Sequence, residues 1–131
     1  MLRATSVTLL LELLNSRVDH PRYQADHTAS GQQVCTLAGA ASVRLLYDIY
    51  HMQIMDGDIT RTMCDNWKWI KHVHTAGVPG RGPLGPNQEL NYQSIIRALH
   101  GAGYRRYIGH EFMTQGDAEA DLKAAVAECR G

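Results

Sequence analysis

Charge of either sign is not in surplus: thirteen Lys and Arg balance thirteen Asp and Glu over 131 residues, for a formal net charge of zero. Without an overall positive field there is little to hold a polyanion, which argues against DNA, RNA or an acidic membrane as a partner. Cysteine is scarce, and the three present, Cys35, Cys64 and Cys129, are an odd number without CxxC spacing. That pattern excludes a disulfide framework and a cysteine-rich zinc module, and fits free thiols in a reducing, cytoplasmic setting. Long apolar runs are missing as well. The stretch over residues 7–14 is interrupted by Glu12, and neither a small-residue cleavage site nor a stop-transfer segment follows it. No signal peptide and no membrane anchor is therefore expected in residues 1–14. The glycine-rich segment 77–85 has neither the GxGxxG nor the GxxxxGK[S/T] layout, so nucleotide binding gains no support.

What is present is a chain with 44% apolar and 20% charged residues, the balance of one globular domain spanning residues 1–131. Four runs rich in Val, Ile and Leu, over residues 7–12 (VTLLLE), 43–48 (VRLLYD), 70–75 (IKHVHT) and 107–112 (YIGHEF), predict strands. Their apolar content is nearly continuous, as parallel strands covered on both faces require. Helical patterns follow over about 28–38, 58–69, 92–102 and 118–129. The last has Asp117 at its N-cap, Glu119 and Asp121 in its first turn, and Arg130 and Gly131 at its close. Gly101 and Gly103 end the third helix. Four βα units belong to an α/β fold, either a doubly wound sheet or a (β/α)₈ barrel. A complete barrel takes about 250 residues, so on the barrel reading the chain is half of one. The long Gly/Pro-rich segment 76–91 is predicted to be a functional loop.

Each predicted strand finishes on or beside a side chain able to bind a metal: Glu12, Asp48, His74 and Glu111. In parallel α/β folds the C-terminal strand ends share one rim, so these distant residues are expected to converge. Acids also terminate strands merely to cap the next helix, but three acids and a histidine at four strand ends favour a site. Three carboxylates and an imidazole suit Mg²⁺ or Mn²⁺, with Co²⁺ or Zn²⁺ admitted by the nitrogen. Strand alternation puts His72 and His74 on one face, with His72 read as structural or as support for the site. Asn15 and His51 each lie three residues beyond a rim acid, in position to touch a substrate, and Arg81 offers a fixed positive charge for a carboxylate or phosphate. His20, His27, His100 and His110 are read as structural or solvated, and Trp67 and Trp69 as packing against the sheet.

The segments LLLELLNSRVDHPRYQADH, VRLLYDIYHMQIMDGDI, HVHTAGVPGR, QELNY and YIGHEF, in this order and spacing, closely resemble the C-terminal half of hydroxypyruvate isomerases, within the xylose isomerase-like TIM-barrel superfamily. The resemblance spans nearly the whole chain. It implies four βα units forming half of a TIM (β/α)₈ barrel, and a divalent metal held by Glu12, Asp48, His74 and Glu111. It further implies that the two glutamates double as acid/base groups, with His51 and Arg81 near substrate oxygens. The implied reaction interconverts hydroxypyruvate and 2-hydroxy-3-oxopropanoate (tartronate semialdehyde) through an enediolate, without an organic cofactor. Leu13 stands where relatives usually carry Pro, Arg22 where they carry Gly, and His74 where some carry Gln. Three alternatives stay open: a ketose 3-epimerase using the same groups, a catalytically silent half-barrel working as an assembly module or homodimer, and an apurinic-site endonuclease. Neutral charge counts against the endonuclease.

Overall fold

The computed structural model describes residues 7–130; the first six residues of the segment read for a leader, and Gly131 after the last helix, lie outside them. The chain runs β1 (Leu9–Glu12), α1 (Thr28–Ala38), β2 (Val43–Asp48), α2 (Ile49–Met55), α3 (Ile59–Asn66), β3 (Ile70–Thr75), α4 (Tyr92–Ala102), β4 (Tyr107–His110) and α5 (Ala118–Glu128). The strands form one parallel sheet in the order β1-β2-β3-β4. Every strand pairs with its successor in sequence, with at least one helix in each connection, the layout of successive units of a βα barrel. Leu13, Leu45, Tyr47, Ile49, Met52, Met63, Ile70 and Val73 are buried in the core that joins sheet and helices.

Three elements are shorter than the sequence reading has them. β1 begins at Leu9 rather than Val7, and β4 ends at His110 rather than Phe112. Both are outer strands with a single partner, and pairing stops where that partner stops. The helix expected over 58–69 covers only Ile59–Asn66, because Asp58 takes a left-handed φ of 44° and the chain turns at Trp67. Helix α2 was not foreseen. Asp48 closes β2 and caps α2 at once, its side chain accepting the N–H of His51, so no turn residue separates the two elements.

The register sets the geometry of the rim. Glu12 lies level with Leu46, Asp48 level with His74, and His74 level with Gly109. Glu12 thus sits two residues behind Asp48, and Glu111 two residues ahead of His74. Two residues of strand span about 6.6 Å, and a glutamate is long enough to cover much of that step where an aspartate is not. The register also shifts between Leu45 and Leu46, which pair with Ile70 and His72. Lys71 is the additional residue, and its insertion brings His72 and His74 onto the face that carries Leu46 and Asp48.

Helix α1 starts on a borrowed cap. His27 at its N-cap makes no side-chain cap bond; instead Asp56, at the end of α2, accepts from the Thr28 N–H at 2.9 Å and the Thr28 hydroxyl at 2.7 Å, and pairs with His27. Burial pushes the Asp56 carboxyl up, but the bonds from His27 and Thr28 outweigh it and hold the group below the ordinary aspartate value. Asp56→Ala is expected to cost about 2 kcal/mol at neutral pH, lowering the urea midpoint by about 1 M. A depressed native pKa stabilises above the unfolded value and loses that contribution as pH falls through the native one, so the penalty should shrink below about pH 4. Equal penalties at pH 7 and pH 3 would remove the carboxylate from this role.

All three cysteines are free. Among the described residues no helix is long and apolar enough to cross a membrane. Arg44 stacks its guanidinium over Trp69, 5.4 Å from the ring centroid, and Trp67 packs against Gly103, the left-handed cap of α4. The two tryptophans serve packing.

Candidate metal centre and its surroundings

Glu12, Asp48, His74 and Glu111 meet at the C-terminal rim of the sheet, each offering one ligand atom, all within 4.8 Å of one another. His74 Nδ1 stands at the middle, 3.2 Å from Glu12 Oε1, 3.4 Å from Glu111 Oε2 and 3.8 Å from Asp48 Oδ2. Ligands held 2.0–2.6 Å from one cation lie about 3 to 5 Å apart, so the spacing suits a divalent ion. The cluster grades from inside to outside: the Asp48 side chain is 1% exposed and that of Glu111 is 47% exposed.

The electrostatics fit the same purpose. Burial pushes the Asp48 carboxyl up to about 6, and its Oδ2 is buried without a hydrogen-bond partner. A buried carboxylate oxygen that nothing satisfies is costly, and a cation among the three acids removes that cost. The hydrogen bond to Glu12 holds His74 above the ordinary histidine value, and the same bond holds Glu12 below the ordinary glutamate value. The cluster therefore draws positive charge toward itself.

Gly109 makes room for the imidazoles. A Cβ at that position would come within 3.0 Å of His72 Nε2 and 3.2 Å of His74 Cδ2. His72 meets His74 edge to face with ring centroids 5.0 Å apart, supporting it from the side. His110 points the other way, its Nδ1 2.8 Å from the Thr75 hydroxyl.

Arg81 follows β3 in the Gly/Pro loop with a φ of 55°. It pairs with Glu111 and lies over the Tyr50 ring at 5.5 Å, so this guanidinium faces the cluster from the open side. His51 is fully buried, and burial first, then the nearby Arg81 charge, pushes its pKa down to about 4. Asn15 is also fully buried and touches His51. The sequence reading missed Asp19 and Tyr50, which complete this environment: Asp19 Oδ2 accepts from Asn15 Nδ2 at 2.6 Å and from the Tyr50 hydroxyl at 2.8 Å. Neither stands on a strand end; both lie within the segments that carry the family resemblance, which is the one signal in the sequence that could have found them.

Comparison with known proteins adds to this geometry. The family model described as Xylose isomerase-like TIM barrel matches residues 1–130. Hydroxypyruvate isomerase of Escherichia coli is 32% identical over 123 residues, covering 94% of this chain and 47% of that protein. The 2-oxo-tetronate isomerase of Cupriavidus necator is 34% identical over 119 residues, covering 91% of this chain and 45% of that protein. Among solved structures, AP endonuclease, family 2, from Brucella melitensis superposes with a TM-score of 0.83 at 32% identity, over 92% of this chain and 46% of that one. The chain thus spans less than half the length of these relatives. A parallel sheet built from successive βα units, three acids and an imidazole at its C-terminal rim, and a match over residues 1–130 place this chain in the xylose isomerase-like TIM barrel family.

Proposed function

We propose that this chain carries the metal site and proton-transfer groups of an isomerase for small acids that bear a hydroxyl next to a ketone, with hydroxypyruvate and 2-hydroxy-3-oxopropanoate as the interconverted pair. The observation that carries the reading is the convergence of two glutamates, one ending β1 and one just beyond β4, on buried Asp48 and half-buried His74 from the inner strands. The names of the relatives support it, since hydroxypyruvate and 2-oxo-tetronate share the same hydroxy-ketone and carboxylate.

Asp48 and His74 would hold a divalent cation, Mg²⁺ or Mn²⁺ by the preference of hard oxygen ligands, with Glu12 and Glu111 completing its shell. When bound, the cation supplies fixed positive charge beside the oxygens on which negative charge develops. One glutamate removes a proton from the hydroxyl-bearing carbon and the other delivers one to the neighbouring carbon. The hydroxyl proton passes to the old carbonyl oxygen, so the hydroxyl becomes the new carbonyl, the old carbonyl becomes a hydroxyl, and the exchange needs no oxidant or reductant. Arg81 binds the substrate carboxylate, and His51 meets a substrate oxygen.

The fold completes the proposal. A closed barrel needs eight strands, and the sheet has four among the described residues, so the active form gains the rest either from a second copy or from further chain.

The test is to strip the purified chain with EDTA, restore Mg²⁺ or Mn²⁺, and follow hydroxypyruvate by NMR in D₂O. Loss of hydroxypyruvate with deuterium entering the product carbon supports the reading; a folded, barrel-sized species inert with either metal rejects it. Gly109→Ala tests the ligand geometry. By crowding His72 and His74 it should weaken Mn²⁺ binding roughly tenfold, measured by calorimetric titration, and unchanged affinity would free His74 from the metal.

A further inference from the structure

The contact between Asn15 and His51 fixes which ring nitrogen carries the proton. The backbone N–H of Asn15 lies 3.1 Å from His51 Nδ1. A backbone N–H can only donate, so Nδ1 accepts, and a neutral imidazole that accepts at Nδ1 carries its proton on Nε2. The Asn15 side chain repeats the instruction, with Nδ2 2.7 Å from the same Nδ1. Its orientation is settled within the chain: Oδ1 accepts from the N–H groups of Val18 and Asp19, each at 2.9 Å, which turns the NH₂ toward His51 and the Asp19 carboxylate. Every polar atom of the Asn15 side chain is therefore engaged, and none is left for a substrate.

At the other end of the ring, Nε2 is buried without a hydrogen-bond partner. A buried N–H left without an acceptor is costly, and such a group is retained where a ligand supplies the missing oxygen. Asp19 has a second duty. It accepts the Tyr50 hydroxyl, and the Tyr50 ring carries Arg81 on its face, so one carboxylate steadies both groups assigned to the substrate.

We propose that Asn15, oriented by Asp19, is a positioning residue that fixes His51 as an Nε2–H donor to a substrate oxygen. The inference rests on the isomerase reading above and specifies one contact within it. His51 donates to an oxygen that gains negative charge during the reaction, and does not accept from a hydroxyl.

The tautomer is read without activity. In protein labelled with ¹⁵N-histidine, long-range ¹H–¹⁵N correlation, assigned by comparison with His51→Gln, should show His51 with Nδ1 unprotonated and Nε2 protonated. A proton on Nδ1 would overturn the proposal. Asn15→Asp sets a carboxylate oxygen against Nδ1 and should move a proton there, with kcat falling roughly 10- to 100-fold and KM changing much less. A wild-type spectrum and wild-type kcat in that variant would also overturn it. Should Asn15→Asp not fold, Asp19→Ala serves: freeing the Asn15 side chain leaves the backbone N–H as the one donor to Nδ1 and should admit a minor Nδ1–H population, and an unaltered single tautomer would remove Asp19 from the role. If a folded, barrel-sized form of the wild-type protein converts neither hydroxypyruvate nor 2-oxo-tetronate while Nε2 carries the proton, the isomerase reading fails and the tautomer assignment stands. Conversion with the proton on Nδ1 fails the positioning role alone.

Discussion

Glu111→Gln and Glu12→Gln should each lower kcat on hydroxypyruvate by about 10³-fold or more, within the range by which positioned acids and bases accelerate proton transfer. The replacement keeps the side-chain length and an oxygen that can face the cation, but an amide cannot take up a proton at catalytic pH. The two variants should differ in one respect. The one that removes the initial base stops all exchange of the substrate C–H with solvent, whereas the one that removes the second carboxylate still lets deuterium enter the substrate while product formation fails. Following substrate and product together in D₂O thereby orders the two glutamates. Glu111 also pairs with Arg81, so its loss releases that guanidinium and should raise KM as well; Glu12, bonded to His74, has no such link. Turnover within threefold of wild type in either variant would dismiss that glutamate from the reaction.

Asp48→Asn should move stability in opposite directions depending on the metal. Without a divalent cation, the variant is expected to match or exceed the wild type, because a buried carboxylate with one unsatisfied oxygen gives way to a neutral amide that can donate to Glu12 or Glu111. With a cation at 100 times its dissociation constant, the wild type should gain about 2.7 kcal/mol, roughly 8–12 °C in midpoint for a domain of this size. The variant should gain nothing. Thermal unfolding with EDTA and with Mn²⁺ makes the comparison, and a wild-type midpoint indifferent to Mn²⁺, Mg²⁺, Co²⁺ and Zn²⁺ would mean that the acids gather for some other reason.

Much of the architecture was legible because the inner elements are dictated locally. β2, β3, α1 and α4 fall on the residues their patterns predict; α4 carries its own caps in Asn91 and Gly103, whereas α1 keeps its predicted span although its N-terminal bonds come from Asp56. The rim residues were legible for a related reason: a carboxylate or imidazole at the end of an apolar strand has one place to go once the strands are parallel. Helix α2 was hidden because Asp48 is both the last strand residue and the first cap. That concealed the burial of His51, which depends on the helix. The loop carrying Asn15 and Asp19 was harder still. Its bonds reach His51 and Tyr50, 36 and 31 residues away, and no local rule announces contacts at that range.

Among the described residues the inner strands β2 and β3 are bonded on both sides, while β1 and β4 have one neighbour each. Until further strands close the barrel, amide hydrogens will therefore trade with solvent soonest along β1 and β4 and last along β2 and β3. Asp48 and His74 ride on the slow pair, and Glu12 and Glu111 on or just beyond the fast one. The anchor of the cluster is thus planted in its stiffest ground, and the two glutamates stand on margins that firm only when the barrel closes.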